Sequence, residues 1–492
     1  METNTISINK KVLDTSKIIE VNGDVIVPDI KPDIVNIINT NGNAYIYKED
    51  INQGRMRIDG NIDTYVIYLS ENGETRSMQT TLNFIESLDN DSISDGMYYK
   101  LNVSLERIES KILNERKITI KATLRVRAEF YERSSIDISN QFDDMNNIEK
   151  LEESIDVRSI IGMNAVKSSI KEDISIDNSL EVAEILKTNV SLSNIENKIS
   201  YNKVLAKADA NVKIIFLTED ERISTVETSI PLMSFIDIEN VSENNICNVD
   251  YVIRNMLFKV NSKEMHSISC QVDFEITCEA FEIKNINIIQ DMYSTKNNLT
   301  FSKREAQVQT NSIDMCENVQ INENLLVEDI NSIYDVDCTP VILSNTPSGS
   351  FTNYEGEVIL DIYFEADNRN GLNVKNVKIP FIAKMENKSE NIIAKITRKQ
   401  FTVNNEYVNC ELEVSLSQNS TSMKKINIIE NVEQQECEEP NDYKMVIYFV
   451  KANDTIWNIA KKFKVCKDSI LSVNNLDSNY RLNIGDKLYI MQ

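Results

Sequence analysis

His266 is the only histidine among 492 residues, so any Cys–His or Ser–His nucleophile pair would have to be built on it. It follows the polar run Asn261-Ser262-Lys263-Glu264 and precedes an alternating apolar stretch, which predicts a solvated turn rather than a catalytic base. The eight cysteines include no Cys-x-x-Cys pair. Cys270, Cys278 and Cys410 fall on the apolar side of strand-like alternations, where thiols behave as small hydrophobes and not as zinc ligands. A glycine-rich phosphate loop is missing, and with 77 Asp and Glu no single carboxylate pair is diagnostic. The reading is a binding protein without catalytic residues, cofactor or metal.

Charge narrows the partners. A formal net charge of −25 opposes nucleic-acid binding, because counterion release needs Lys or Arg at the contact. No run of about 18 apolar residues is present, so no membrane span is expected. The first residues, Met1-Glu2-Thr3-Asn4-Thr5, lack a basic segment followed by an apolar block, which predicts retention in the cytoplasm with free thiols. The last fifty residues run against the trend. Residues 443–492 hold eight Lys or Arg and four Asp, a basic head on an acidic body that would be steered toward an acidic patch or folded back onto its own tether.

The elements that position this head are strands. Three segments alternate strictly with period two: Ile118 to Phe130, Ile268 to Ala280, and Val408 to Leu416. Val66-Ile67-Tyr68-Leu69, Ile214-Ile215-Phe216-Leu217 and Asp361-Ile362-Tyr363-Phe364 recur about 148 residues apart, each before a charged turn. The fold class is therefore mainly β: three tandem β-rich domains at 1–135, 150–290 and 300–420, arranged as separate beads. A short helix is expected around Ile148 to Ile155. An acidic flexible linker is expected at 421–442, then a β-α-α-β domain at 443–492.

In that last domain Tyr448-Phe449-Val450 reads as a strand, and Asn453 or Asp454 as the cap of a helix with Ile456, Ile459, Ala460 and Phe463 on one stripe. Ile470 and Leu471 face inward from a second helix that ends at Asn474, and Leu482, Ile484, Gly485 and Leu488 to Ile490 close the unit. Trp457 lies off the apolar stripe and reads as an exposed anchor, with Lys451, Ile456, Lys461 and Leu482 as neighbours.

These residues resemble the LysM family in order and spacing, with Asn453 where the family has glycine. The resemblance implies a groove between the first-strand loop and the loop before the last strand. That groove would comprise Lys451, Asn453, Asp454, Thr455, Ile456, Trp457, Lys461, Leu482 and Ile484. The three repeats resemble SPOCS domains, and the combination is similar to a family of clostridial spore-coat morphogenetic proteins. It implies a non-enzymatic scaffold at the forespore surface in the mother cell, with LysM binding the coat-basement ATPase, stage IV sporulation protein A. The alternative is a peptidoglycan grip. Self-association through edge strands is compatible with the first reading.

Overall fold

The computed structural model describes residues 3–139, 147–261, 266–310, 315–366, 369–386, 392–418, 423–435, 445–477 and 480–491. The first unit comprises β1 (Thr3–Ile26), β2 (Ile34–Asn52), β3 (Arg55–Ser70), β4 (Thr75–Asp89), β5 (Tyr98–Asn114) and β6 (Lys117–Ser139). Its strands form two antiparallel sheets, β1-β6-β5 and β2-β3-β4. One face of each is apolar, so the two enclose a single core that includes Ile58, Tyr68, Phe84 and Ile118 to Phe130.

The second unit repeats this plan with β7 (Ile148–Ser175), β8 (Val182–Ser200), β9 (Lys203–Thr218), β10 (Ile223–Asp237), β11 (Ile246–Val260) and β12 (Ser267–Ser294). Its sheets are β11-β12-β7 and β10-β9-β8. The third has β13 (Asn298–Gln309), β14 (Met315–Leu326), β15 (Ile330–Ser348), β16 (Phe351–Ala366), β17 (Arg369–Glu386), β18 (Ile392–Asn404), β19 (Tyr407–Gln418) and β20 (Met423–Gln435). Sheets β14-β19-β18 and β15-β16-β17 enclose its core, and β13 pairs with β20. The mainly β class and the three tandem domains are as the alternation predicts.

Three expectations are corrected. Residues 148–155 are strand, not helix, because Ile148 to Ile155 pair with Ser294 to Ile286 and Ile155 is buried in a junction core. Residues 423–435, expected within a flexible acidic tether, are β20: Ile426, Ile428 and Ile429 are buried while the acids alternate outward. The rest of that tether, 421–422 and 436–442, lies outside the described residues, as do residues 262–265 of the turn before His266.

Nor are the units separate beads. The ends of β1/β6 and β7/β12 run on as two-stranded ribbons, and β13/β20 is the third. Ile6, Ile8, Ile136 and Ile138 from the first ribbon meet Ile155, Val157, Ile286 and Ile288 from the second and Ala306, Val308, Ile426 and Ile428 from the third. A second junction joins the opposite ends, where Ile67, Ile215 and Tyr363 occupy the same repeat position and pack together with Leu186 and Leu372. Two shared apolar clusters thus give the body pseudo-threefold order, which burial favours and a string of beads would forgo.

Beside the second junction, Lys187 ion-pairs with Asp335 at 2.5 Å and Asp337 at 2.7 Å. Lys187 and Asp335 are almost wholly buried, and the Lys187 ammonium stands 4.1 Å from the Tyr363 ring centroid. The Asn39 amide donates to the Tyr363 hydroxyl at 2.7 Å. The charge pair ties the second unit to the third, and the amide ties the first to the third.

In one sheet of each unit a size trade recurs. Gly60 is paired with Phe84 and Gly356 with Phe381, whereas the second unit has Ala208 against Leu232. A Cβ on Gly60 would lie 2.2 Å from Phe84 Cζ, and one on Gly356 2.4 Å from Phe381 Cζ. The larger ring requires the smaller partner.

Candidate functional site

The C-terminal module comprises β21 (Met445–Phe449), α1 (Ile456–Phe463), α2 (Lys467–Val473) and β22 (Lys487–Met491), with β21 paired to β22. Its core gathers Val450, Ile456, Ile459, Ala460, Ile470, Leu471, Leu488 and Ile490. The helical stripe is inward, as its spacing predicts.

The loop before α1 is built differently from expectation. Thr455, not Asn453 or Asp454, is the N-cap, its hydroxyl accepting the Asn458 amide at 3.1 Å. Asp454 instead braces the loop, accepting the Lys451 amide and the Tyr448 hydroxyl, each at 2.8 Å. Those hydrogen bonds hold its carboxyl below the usual range. Asn453 has φ 68°, the left-handed region that asparagine tolerates better than most residues, which explains how it stands where glycine is usual. The second loop is tied to the first: Val450 donates to the Asp486 carbonyl at 2.9 Å and Gly485 to the Val450 carbonyl at 2.8 Å.

The nine residues named from sequence divide between two faces. Lys451, Asn453, Thr455 and Ile484 are exposed around the paired loops, with Asp454 and Leu482 half-buried there. Ile484 is 76% exposed, an apolar side chain left open among the described residues of the module. Ile456 is buried in the module's core.

Trp457 and Lys461 form the other face, and here the expectation of an exposed anchor is overturned. Trp457 is only 7% exposed. Its indole N–H donates to Asp291 of β12 at 2.9 Å, and its ring stands edge-on to Tyr293, centroids 5.0 Å apart. The Lys461 ammonium bonds both Asp291 oxygens, at 2.7 and 2.8 Å. The Tyr293 hydroxyl donates to the Val465 carbonyl at 2.7 Å, so a trunk side chain completes the module's core. Lys464 reaches Asn298, and burial and Glu149 together raise the Cys466 thiol.

Asp291 and Tyr293 were missed from sequence. The register of β12 against β7 shifts between Ile289 and Asp291, a bulge that re-aims the strand's end toward the module. Its trace in the sequence is the adjacent pair Ile288-Ile289, which ends the local alternation Ile286-Asn287-Ile288.

His266 sits on a turn but is partly buried, its Nδ1 2.8 Å from the Leu180 carbonyl, rather than solvated. Among the described residues no cluster of His, Cys, Asp or Glu could hold a metal ion. Among them, too, no helix is long and apolar enough to cross a membrane.

Residues 33–113 and 181–261, which span β2–β5 and β8–β11, match the family described as SipL, SPOCS domain. Residues 448–490 match the LysM domain. The third unit lies outside both matches yet repeats the sheet pairing of the first two. A comparison with curated proteins found no match. Both matched families are of the binding or scaffold type, and together they mark a sporulation protein with a peptidoglycan-binding-type module.

Proposed function

We propose that this chain, which carries SPOCS domains ahead of a C-terminal LysM domain, is a non-enzymatic morphogenetic scaffold of the spore coat. The LysM module binds a coat-basement protein, the ATPase known as stage IV sporulation protein A, at the forespore surface on the mother-cell side. The observation that carries this reading is the division of the module into two faces. One is clamped to the trunk through Asp291 and Tyr293. The other, with Asn453, Thr455, Leu482 and Ile484, points away as a braced apolar-and-polar edge. A rigid body that presents a fixed head suits a scaffold, since preorganised loops lose little entropy on binding. The basic surplus of the module favours an acidic surface.

A second reading rests on the LysM match itself: the same loops would grip an N-acetylglucosamine glycan. One experiment separates them. Full-length chain and its Ile484→Asp variant are incubated with the purified ATPase and, separately, with purified sacculi. Capture of the ATPase that the variant loses supports the scaffold. Retention on sacculi that the variant loses supports the glycan grip. Unchanged binding by the variant removes the loop edge from the site.

A further inference from the structure

Three sheet faces outside the LysM site share a feature. In β2, β8 and β15 a register irregularity places Tyr47, Ile195 and Leu343 beside a central-strand residue, respectively Asp59, Lys207 and Glu355. On its other flank that central residue is paired with Ile85, Met233 or Ile382. All six apolar side chains are more than half exposed, at 53–66%. They recur 148 or 149 residues apart. Large apolar residues kept outward at equivalent places in three units form a repeated patch, not scattered surface hydrophobes.

In the first unit this face turns toward the second: Tyr47 and Asn83 line a cleft of about 610 Å³ with Lys167, Arg254 and Asp273. Arg254 there donates to the Ile46 carbonyl at 3.1 Å and ion-pairs with Glu49. Tyr47 and Ile85 stay 54% and 61% exposed beside that cleft, so the second unit adjoins this face without covering it.

The second and third faces differ in the sign of their centre. Lys207 has no side-chain partner among the described residues. Glu355 accepts a hydrogen bond from Ser344 at 3.1 Å and meets no cation among them. Phe235 adds to the apolar area beside Met233. We propose that the second-unit face of one molecule docks on the third-unit face of another copy of this chain. Ile195, Met233 and Phe235 would oppose Leu343 and Ile382, with Lys207 against Glu355. The edge strands β10 and β17 carry Pro231 and Pro380, which lack an N–H and so weaken strand addition at those two edges. The contact is heterologous, so it propagates into open chains or closes into a ring. A net charge of −25 makes copies repel, so assembly strengthens as salt screens the bodies.

Sedimentation velocity on the full chain near physiological salt tests this. Self-association is expected in the native chain. Lys207→Glu and Glu355→Lys should each weaken it about tenfold or more, since like charges then meet. Each variant alone opposes like charges, whereas an equimolar mixture of the two should recover association as alternating chains, because both contacts between unlike variants are then complementary, and the double variant should again form larger species by itself. Met233→Ser provides a charge-neutral check and should also weaken assembly, with far-ultraviolet circular dichroism confirming the fold. A native chain that stays monomeric, or association indifferent to both charge reversals, overturns the proposal.

Discussion

The indole N–H of Trp457 donates to the Asp291 carboxylate across 2.9 Å, so a trunk strand holds the one tryptophan of the chain. The same carboxylate takes the Lys461 ammonium. Asp291, with Tyr293 beside it on β12, therefore fixes which face of the LysM module is covered and which is exposed.

That contact can be read optically. Asp291→Ala should remove charge-assisted hydrogen bonds worth about 1.5–3 kcal/mol of docking and release the Trp457 face. Fluorescence emission should shift to the red and acrylamide quenching should increase. An unchanged spectrum would show that Asp291 does not hold the module.

Acid should produce the same change. Burial raises the Asp291 carboxyl, but the Lys461 ammonium and the Trp457 indole N–H outweigh it, and its pKa lies below the ordinary 3.8. A lowered pKa means the docked state favours the ionised form. Docking is then at full strength above pH 3.8 and is lost as pH falls through the lowered value. The red shift on acidification should be absent in Asp291→Asn.

Lys187 stands between Asp335 and Asp337 at the junction of the second and third units. Lys187→Met strips a buried carboxylate of its main counter-ion and should cost about 3–5 kcal/mol in urea unfolding. Lys213, 3.4 Å from Asp335, offsets part of that loss. Replacing both partners, as Lys187→Met with Asp335→Leu, should recover most of the stability, because the deeply buried carboxylate is then gone and Asp337, which also loses Lys187, is 31% exposed to solvent. The cycle fails if the double variant is as unstable as the single.

Gly60 and Phe84 should couple. Gly60→Ala puts a methyl group against the Phe84 ring and the Tyr45 carbonyl and should destabilise by about 1–3 kcal/mol. Adding Phe84→Leu, which copies the Ala208–Leu232 pair, should return part of the loss. The remainder belongs to the Tyr45 carbonyl, 2.4 Å from the new Cβ. Thermal melts of the two single variants and the double measure the coupling.

Thiol reactivity should follow burial. Burial pushes Cys270 and Cys338 up to about 11 and Cys410 to about 12, while Cys316 is exposed. Iodoacetamide near pH 8 should label Cys316 roughly a hundredfold faster than those three, as mass spectrometry of timed digests would show. Comparable rates would mean the cores open readily.

Period-two alternation was legible because each strand has one wet and one dry face: Ile118 to Phe130 needed nothing else to be read as buried. The LysM unit was legible because its turns and helical stripe are local, and its match covers residues 448–490. The alternation could not show that Ile6, Ile155 and Ile426 meet, since residues far apart in the chain share no local signal. The same blindness turned β20 into a tether, where acidic outward positions masked the buried Ile426 and Ile428. It also made Trp457 an exposed anchor. Whether an amphipathic side chain off a helical stripe is wet depends on what lies against it, and only the tertiary structure brings Asp291 and Tyr293 there. Sequence determined which side chains needed burial; packing among distant strands decided against what.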